Sequence, residues 1–182
     1  KEQISIVNKY KAAFAVDTDK KTLEDALDGA DVFIGVARGD LVSKKMVKSM
    51  ADKPIIFALS NPDPEISPAD VYDCRDDALM ATGRSDYPNQ VNNVLGFPYI
   101  FRGALDANAK IINTEMKIAA VHALKDLTKL PVPKSVLDVY QIKKLSFGKD
   151  YFIPKPFDPR LIELVPNAIF DAAVKSGVSR LK

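Results

Sequence analysis

The stretch DVFIGVA at residues 31–37 is a short apolar run with β-branched residues, and two similar runs follow it, PIIFALS at 54–60 and ALMAT at 78–82. The three runs begin 23 and 24 residues apart, which is the length of one strand–helix unit. Three buried helical segments are the alternative, but the short lengths and the flanking Pro and Gly favour strands. Because each run is continuously apolar, we expect both faces of each strand to be buried in a helix-covered parallel sheet. The predicted fold class is α/β.

Helices are predicted between and after these runs. Before and between the strands they cover residues 21–27, 43–50 with Ser43 as N-cap, and 67–72, and a further helix is predicted directly after Lys1. Downstream, residues 90–109 are helical with a kink or break at Gly96 and Pro98, and Asn113 caps a helix through Leu127. The last helical region starts at Asp158-Pro159, breaks or restarts at Pro166 and ends at Gly177.

Composition excludes several classes of protein. The 182 residues carry 26 Lys and Arg against 24 Asp and Glu, a net charge of +2 that is too balanced to indicate nucleic acid or an anionic membrane as partner. No apolar run approaches the roughly 18 residues of a membrane span, and no signal peptide opens the chain. The single cysteine, Cys74, favours a reducing compartment, and the expected location is cytoplasmic. Because the chain begins at Lys1 without Met, we expect a piece of a longer protein.

Candidate site residues follow the predicted strands, since ligands bind beyond the carboxyl ends of an open parallel sheet. Gly35, Val36 and Ala37 form the carboxyl end of the first run, and Asn61 follows the second, where its amide offers both donors and an acceptor. A run of amides, Asn89, Gln90, Asn92 and Asn93, opens the next helical segment. Turn glycines, a turn asparagine and a helix-capping cluster are the structural alternatives for these three groups.

Absent motifs limit what the residues alone can decide. No two glycines are separated by one residue, so the Gly-x-Gly-x-x-Gly phosphate turn is missing, and no HExxH, P-loop or Gly-x-Ser-x-Gly motif occurs. The residues by themselves therefore predict an incomplete nucleotide-binding fold with an amide-rich cleft.

Several long motifs resemble those of malic enzymes. They are FALSNP at 57–62, ATGRSDYPNQVNNVLGFP at 81–98 and FRGAL at 101–105, and the resemblance extends over essentially the whole chain. The segment FIPKPFDPR at 152–160 resembles the bacterial form that can be fused to a phosphotransacetylase-like domain. The resemblance implies a partial Rossmann-like sheet, the distal half, in residues 1–108 of an NAD(P)-binding domain, followed by a C-terminal helical region in residues 109–182.

The family's activity is the oxidative decarboxylation of malate to pyruvate and carbon dioxide, with hydride transfer to NADP or NAD and with Mg²⁺ or Mn²⁺. By motif, Asn61 would contact the nicotinamide-ribose end of the cofactor, and the Gly35–Ala37 backbone, including Val36, would line the cofactor cleft. Asn93 would bind the malate carboxylate, with Asn92 as its supporting neighbour. NADP is the favoured cofactor, and a homo-oligomer is expected.

The resemblance also defines what this chain lacks. The family's general acid tyrosine, general base lysine, metal ligands and glycine-rich turn belong to segments before Lys1, so no catalytic or metal-binding residue is assigned here, and the piece alone should be inactive. Two alternatives are left open: another two-domain NAD(P)-dependent dehydrogenase, of the shikimate or methylene-tetrahydrofolate type, and a non-catalytic oligomerisation or regulatory module.

Overall fold

The computed structural model describes residues 12–181, so the helix predicted directly after Lys1 lies outside the described residues. Three strands alternate with short helices in the first half: α1 (Leu23–Leu27), β1 (Val32–Gly35), α2 (Lys44–Ser49), β2 (Ile55–Ala58), α3 (Pro68–Cys74) and β3 (Leu79–Thr82). A 3₁₀ turn (Asn93–Leu95) and four helices follow: α4 (Phe97–Asp106), α5 (Thr114–Leu127), α6 (Lys134–Val139) and α7 (Leu161–Lys175).

The three strands form one parallel sheet in the order β1-β2-β3. In its register, Phe33 pairs with Ile56, which pairs with Met80, and Gly35 pairs with Ala58, which pairs with Thr82. The predicted α/β fold class and all three strands are therefore confirmed, each strand to within two residues at its ends.

Side-chain caps explain where several of the helices begin. The side chains of Thr22, Ser43, Ser67 and Asn113 each accept a hydrogen bond from the backbone N–H three residues later. The predicted caps Ser43 and Asn113 are thus confirmed. Gly177, with a φ of +72°, lies two residues after Lys175, the last residue of α7, and the predicted end of this helix is confirmed.

The prediction that both faces of every strand are buried is wrong for β1. Phe33 is buried, but Val32 is 48% and Ile34 is 64% exposed. The buried row Phe33, Ile56 and Met80 packs with Leu27, Val47 and Val71 from α1, α2 and α3 into one core. These helices therefore cover one face of the sheet, and within residues 12–181 the other face of β1 has little cover.

The later helices form a second core, in which Met116, Leu127, Val165 and Ile169 are buried. The predicted break at Pro166 is wrong, because α7 runs without interruption from Leu161 to Lys175. Pro166 is buried where α7 meets α4, and a Cβ placed on Gly103 would lie 2.4 Å from the Pro166 carbonyl oxygen. Tertiary packing at this contact overrides the weak helix propensity of proline.

Two further boundaries differ from the predictions. The predicted interruption occurs at Gly96, between the 3₁₀ turn and α4, but Pro98 lies in the first turn of α4 and introduces no second break. Helix α6 was not predicted, since its six residues directly follow two prolines. No helix within residues 12–181 has both the length and the apolar character that crossing a bilayer requires.

Candidate functional site

The carboxyl ends of the three parallel strands bring three loops to one edge of the sheet. Because Gly35, Ala58 and Thr82 are register partners, the segments after them begin side by side. Val36 and Ala37 are exposed directly after β1, and Asn61 is exposed after β2. This edge is where an open α/β sheet binds its ligand.

A buried carboxylate, Glu65, connects the loops that follow β1 and β2. Glu65 is fully buried, with 0% of its surface exposed to solvent. One carboxylate oxygen, Oε1, accepts a hydrogen bond of 2.9 Å from the Ala37 N–H, and the other, Oε2, accepts one of 3.1 Å from the Ser60 N–H. The sequence-based reasoning missed Glu65. Its apolar neighbours Pro64 and Ile66, within an otherwise polar turn, are the signal that could have indicated a buried acid.

Asn61 lies next to the two hydrogen bonds that Glu65 accepts, but it makes neither of them. The Asn61–Pro62 peptide bond is cis, and the preceding Ser60 hydroxyl donates a hydrogen bond to the Asp63 carbonyl. Among residues 12–181, the Asn61 amide has no hydrogen-bond partner, although its backbone is fixed on one side by Ser60. Its donors and acceptor are therefore open to a ligand at the edge of the sheet.

An arginine links the loops after β2 and β3. The Arg84 guanidinium binds Asp86 through two contacts of 2.8 Å and donates to the Pro62 carbonyl at 3.3 Å. The hydrogen-bonded Asp86 carboxylate raises the pKa of Arg84, and the guanidinium holds the pKa of Asp86 below its ordinary value. Both groups are partly exposed, so this ion pair contributes little to stability.

The four amides of the run after β3 have different roles. Asn89 is buried, donates to the carbonyls of Met80 and Lys149, and accepts from the Phe152 N–H at 2.8 Å, so its role is structural. Gln90 makes a long contact of 3.4 Å to the Gly83 carbonyl. Asn92 caps the 3₁₀ turn by accepting from the Val94 N–H at 2.9 Å. The capping interpretation is therefore correct for Asn92.

Asn93, by contrast, is exposed, and its amide has no hydrogen-bond partner among residues 12–181. It borders, together with Asn92, a groove of about 600 Å³ between the 3₁₀ turn, α4 and α5. The groove is lined mainly by apolar side chains, among them Leu95, Phe97, Ile100, Val121, Leu124 and Ile153. Gly35, Val36, Ala37 and Asn61 do not line it. The predicted residues thus fall into two groups, one at the ends of β1 and β2 and one at the groove.

Other reactive groups do not gather into a site in the described part of the chain. Within residues 12–181, no three His, Cys, Asp or Glu side chains lie close enough together to hold a metal ion. Cys74 is a half-buried free thiol whose Sγ donates to the Val71 carbonyl at 3.3 Å.

Comparison with known proteins identifies the family of this chain. Residues 2–148 match the family described as the NAD-binding domain of malic enzyme. The chain belongs to the malic enzyme family. The open amides of Asn61 and Asn93 are therefore part of a dinucleotide-binding domain, and the predicted Rossmann-like class is confirmed.

Several malic enzymes are similar over nearly all of the chain. An NADP-dependent malic enzyme from Halomonas elongata is 59% identical over 96% of this chain, and a probable NADP-dependent malic enzyme from Rickettsia prowazekii is 57% identical over 100% of it. An NAD-dependent malic enzyme from Rhizobium meliloti is 46% identical. The crystal structure of malic enzyme from Pyrococcus horikoshii superposes with a TM-score of 0.73 at 37% identity, covering 87% of this chain and 33% of that one.

The chain corresponds to only part of these relatives. It spans 41% of the length of the Halomonas protein and 24% of the Rickettsia protein. Relatives of a shorter and a longer form therefore both contain the segment described by this structure.

Proposed function

We propose that this chain is the distal part of the dinucleotide-binding domain of an NADP-dependent malic enzyme. The parent protein would convert malate to pyruvate and carbon dioxide by oxidative decarboxylation. The observation that carries the proposal is the malic enzyme match over residues 2–148, which contains Asn61 and Asn93, both of them exposed. The match also argues against a shikimate or methylene-tetrahydrofolate dehydrogenase.

The residues at the ends of β1 and β2 suit the nicotinamide end of a dinucleotide. The exposed backbone of Val36 and Ala37, following the buried Gly35, offers a surface that a planar ring and a ribose can approach closely. Asn61 would hydrogen-bond the nicotinamide-ribose end through its open amide. When bound, the nicotinamide supplies the hydride acceptor for malate oxidation.

Asn93 would bind the malate carboxylate by donating from its side-chain amide. Asn92 supports it, because the hydrogen bond from the Val94 N–H to the Asn92 side chain fixes the turn in which Asn93 is the first residue. A neutral amide donor orients a carboxylate without competing for a proton, so this role is one of binding and orientation rather than of acid–base catalysis.

The described residues do not fit the divalent metal that the family uses. Residues 12–181 bring together no cluster of three possible ligands, and we therefore assign no step to the metal here. In this proposal Mg²⁺ or Mn²⁺, the acid and the base are held by other parts of the parent protein, and the chain alone is inactive.

The cofactor preference, the assembly and the domain plan belong to the proposal as well. NADP is favoured because the NADP-dependent relatives from Halomonas and Rickettsia are 59% and 57% identical, whereas the NAD-dependent relative is 46% identical. We propose a homo-oligomer with a domain boundary near residue 108, and a fused phosphotransacetylase-like domain in a parent of the longer form. The mass of the purified parent, denatured and native, tests the fusion and the assembly.

The proposed function is tested with the full-length parent by following malate-dependent reduction of NADP and NAD in the presence of Mn²⁺. Asn93→Ala is expected to lower kcat/KM for malate about ten- to a hundredfold, mainly through a higher KM, because a hydrogen bond to a charged group is lost. Asn167→Ala, which removes an exposed amide on α7, is the matched control and should leave the kinetics unchanged.

Two outcomes would contradict parts of the proposal. A wild-type parent without malate turnover would overturn the malic enzyme activity and favour a non-catalytic module. Turnover that is unaffected by Asn93→Ala would retain the activity but overturn the role assigned to Asn93.

A further inference from the structure

Glu65 is a charged residue that is buried without a cationic partner among residues 12–181. Its carboxylate is satisfied by two backbone N–H groups from different loops, those of Ala37 and Ser60. Burial of a carboxylate is costly, and where only packing is needed an apolar side chain serves as well or better. A role beyond filling space is therefore indicated.

The backbone around Glu65 completes a frame between the same two loops. The Glu65 carbonyl accepts from the Val42 N–H at 2.9 Å, and the Pro64 carbonyl accepts from the Asp40 N–H at 3.1 Å. The carboxylate occupies the space beside Gly35, where an added Cβ would lie 2.4 Å from Glu65 Cδ. The side chain of Glu65 thus fits directly behind the strand end that precedes the exposed Val36 and Ala37.

We infer that Glu65 is a positioning residue for the dinucleotide cleft, fixing the backbone of Gly35–Ala37 through one carboxylate oxygen and the backbone that carries Asn61 through the other. Ser60 immediately precedes Asn61. The hydrogen bond from the Ser60 N–H to Glu65 therefore fixes the backbone from which the Asn61 side chain extends. The inference rests on the proposed function in taking these two loops as the cofactor contacts.

Glu65→Gln in the full-length parent separates this role from simple packing. The amide keeps the size of the side chain but has a single acceptor oxygen, so its NH₂ group faces one of the two backbone N–H donors. Glu163→Gln makes the same chemical change at an exposed position of α7 and is the matched control. The three proteins are compared below the unfolding temperature of the least stable one.

The readouts are the Kd for NADPH by fluorescence, without malate, and amide hydrogen exchange at Ala37 and Ser60. Glu65→Gln is expected to raise the Kd for NADPH about tenfold and to accelerate exchange at one or both of these amides, because one charge-assisted hydrogen bond is lost. In turnover, the KM for the dinucleotide should rise more than kcat falls. Glu163→Gln should change none of these values.

A folded Glu65→Gln protein with an unchanged Kd for NADPH would overturn the inference, even if its melting temperature falls. If Glu65→Gln does not fold, Glu65→Asp keeps both acceptor oxygens one methylene shorter and is measured in the same way, with the same increase in Kd expected. A wild-type parent that binds NADPH but does not oxidise malate would contradict the proposed function and leave this inference standing.

Discussion

Arg75 and Asp77 show how one pair of side chains holds several backbone segments. The Arg75 guanidinium contacts both oxygens of Asp77 at 2.7 Å and donates to the carbonyls of Val47 and Ala51 at 2.9 Å, around the end of α2. Asp77 also accepts from the Lys53 N–H at 2.7 Å. The hydrogen bonds from Arg75, followed by that from Lys53, hold the pKa of Asp77 well below its ordinary value.

This pair predicts a pH-dependent contribution to stability. A carboxyl group whose pKa is lower in the folded state stabilises the fold above its unfolded pKa of about 3.9, and this contribution is lost as the pH falls through the folded-state value. Asp77→Asn is therefore expected to lower the melting temperature at pH 7, and the difference from wild type should shrink below about pH 4. Thermal unfolding of the full-length protein at several pH values measures this.

Asp171→Asn, an exposed change on α7, provides the control and should follow the wild type at every pH. A difference between Asp77→Asn and wild type that is as large at pH 3 as at pH 7 would show that the carboxylate charge is not the source of the stabilisation.

At the scale of helices, the contact between α4 and α7 depends on one missing side chain. Gly103 is buried in α4, and a Cβ at this position would lie 2.4 Å from the Pro166 carbonyl oxygen and 2.6 Å from Ile169 Cβ. In an exposed helix, replacing Gly by Ala stabilises by about 0.5–1 kcal/mol. The close approach of the two helices should reverse that sign here.

Gly103→Ala is expected to lower the free energy of unfolding by about 3 kcal/mol, because α7 must shift to admit the methyl group. Gly148→Ala, where the nearest atom is 3.9 Å away, should be close to neutral. Urea denaturation of both variants in the full-length protein makes the comparison. A stabilised Gly103→Ala protein would mean that the two helices lie farther apart than described.

Helices and strands could be predicted where the cause is local. The three strands follow from short apolar runs bounded by Gly and Pro, and Ser43 and Asn113 are caps because their oxygens reach a nearby N–H. Pro166 within α7 could not be predicted, since its tolerance depends on Gly103, a residue 63 positions away. The exposure of Val32 and Ile34 likewise depends on which elements cover β1, which apolar patterning does not encode.

The candidate site likewise contains residues that could be predicted from the local sequence and residues that could not. Asn61 could be singled out because it follows a predicted strand, and Asn93 because it lies in a run of amides. Their roles were inferred from the resemblance to malic enzymes and remain predictions. Asn89 belongs to the same run of amides, yet it is buried and bonded to a segment about 60 residues later. Glu65 was missed because its partners, Ala37 and Ser60, are brought to it only when β1 and β2 pair. Side chains whose role depends on distant partners require the fold.

In the molecule as a whole, the sheet core and the helical core are joined through residues 149–153. The Phe152 ring stacks on Phe57 of β2 with a centroid distance of 6.1 Å and an interplanar angle of 11°. Lys149 lies over the Tyr72 ring at 4.1 Å. Asn89 binds this segment through the Lys149 carbonyl and the Phe152 N–H. Through Phe152 the segment covers part of the sheet face opposite α1, α2 and α3, and through Lys149 it contacts α3.

Phe152→Ala is expected to loosen this connection and to lower the stability of the sheet by about 2 kcal/mol, since a half-buried aromatic contact is lost. Hydrogen exchange in the full-length protein should then accelerate in β2 and β3 more than in α5 and α7. Phe147→Ala removes an exposed ring from the same region and should have little effect. Equal acceleration in all these elements would contradict the role assigned to the segment.

The hydrogen bonds of Asn89 also affect how the chain folds while it is being synthesised. Its backbone partners at Lys149 and Phe152 lie 60 and 63 residues farther along the chain. At a synthesis rate of about 5–20 residues per second, they emerge roughly 3–12 s after Asn89. During that interval the nascent sheet lacks both the backbone partners of Asn89 and the ring that stacks on Phe57, so this part of the sheet stays open to solvent until residues 149–152 leave the ribosome.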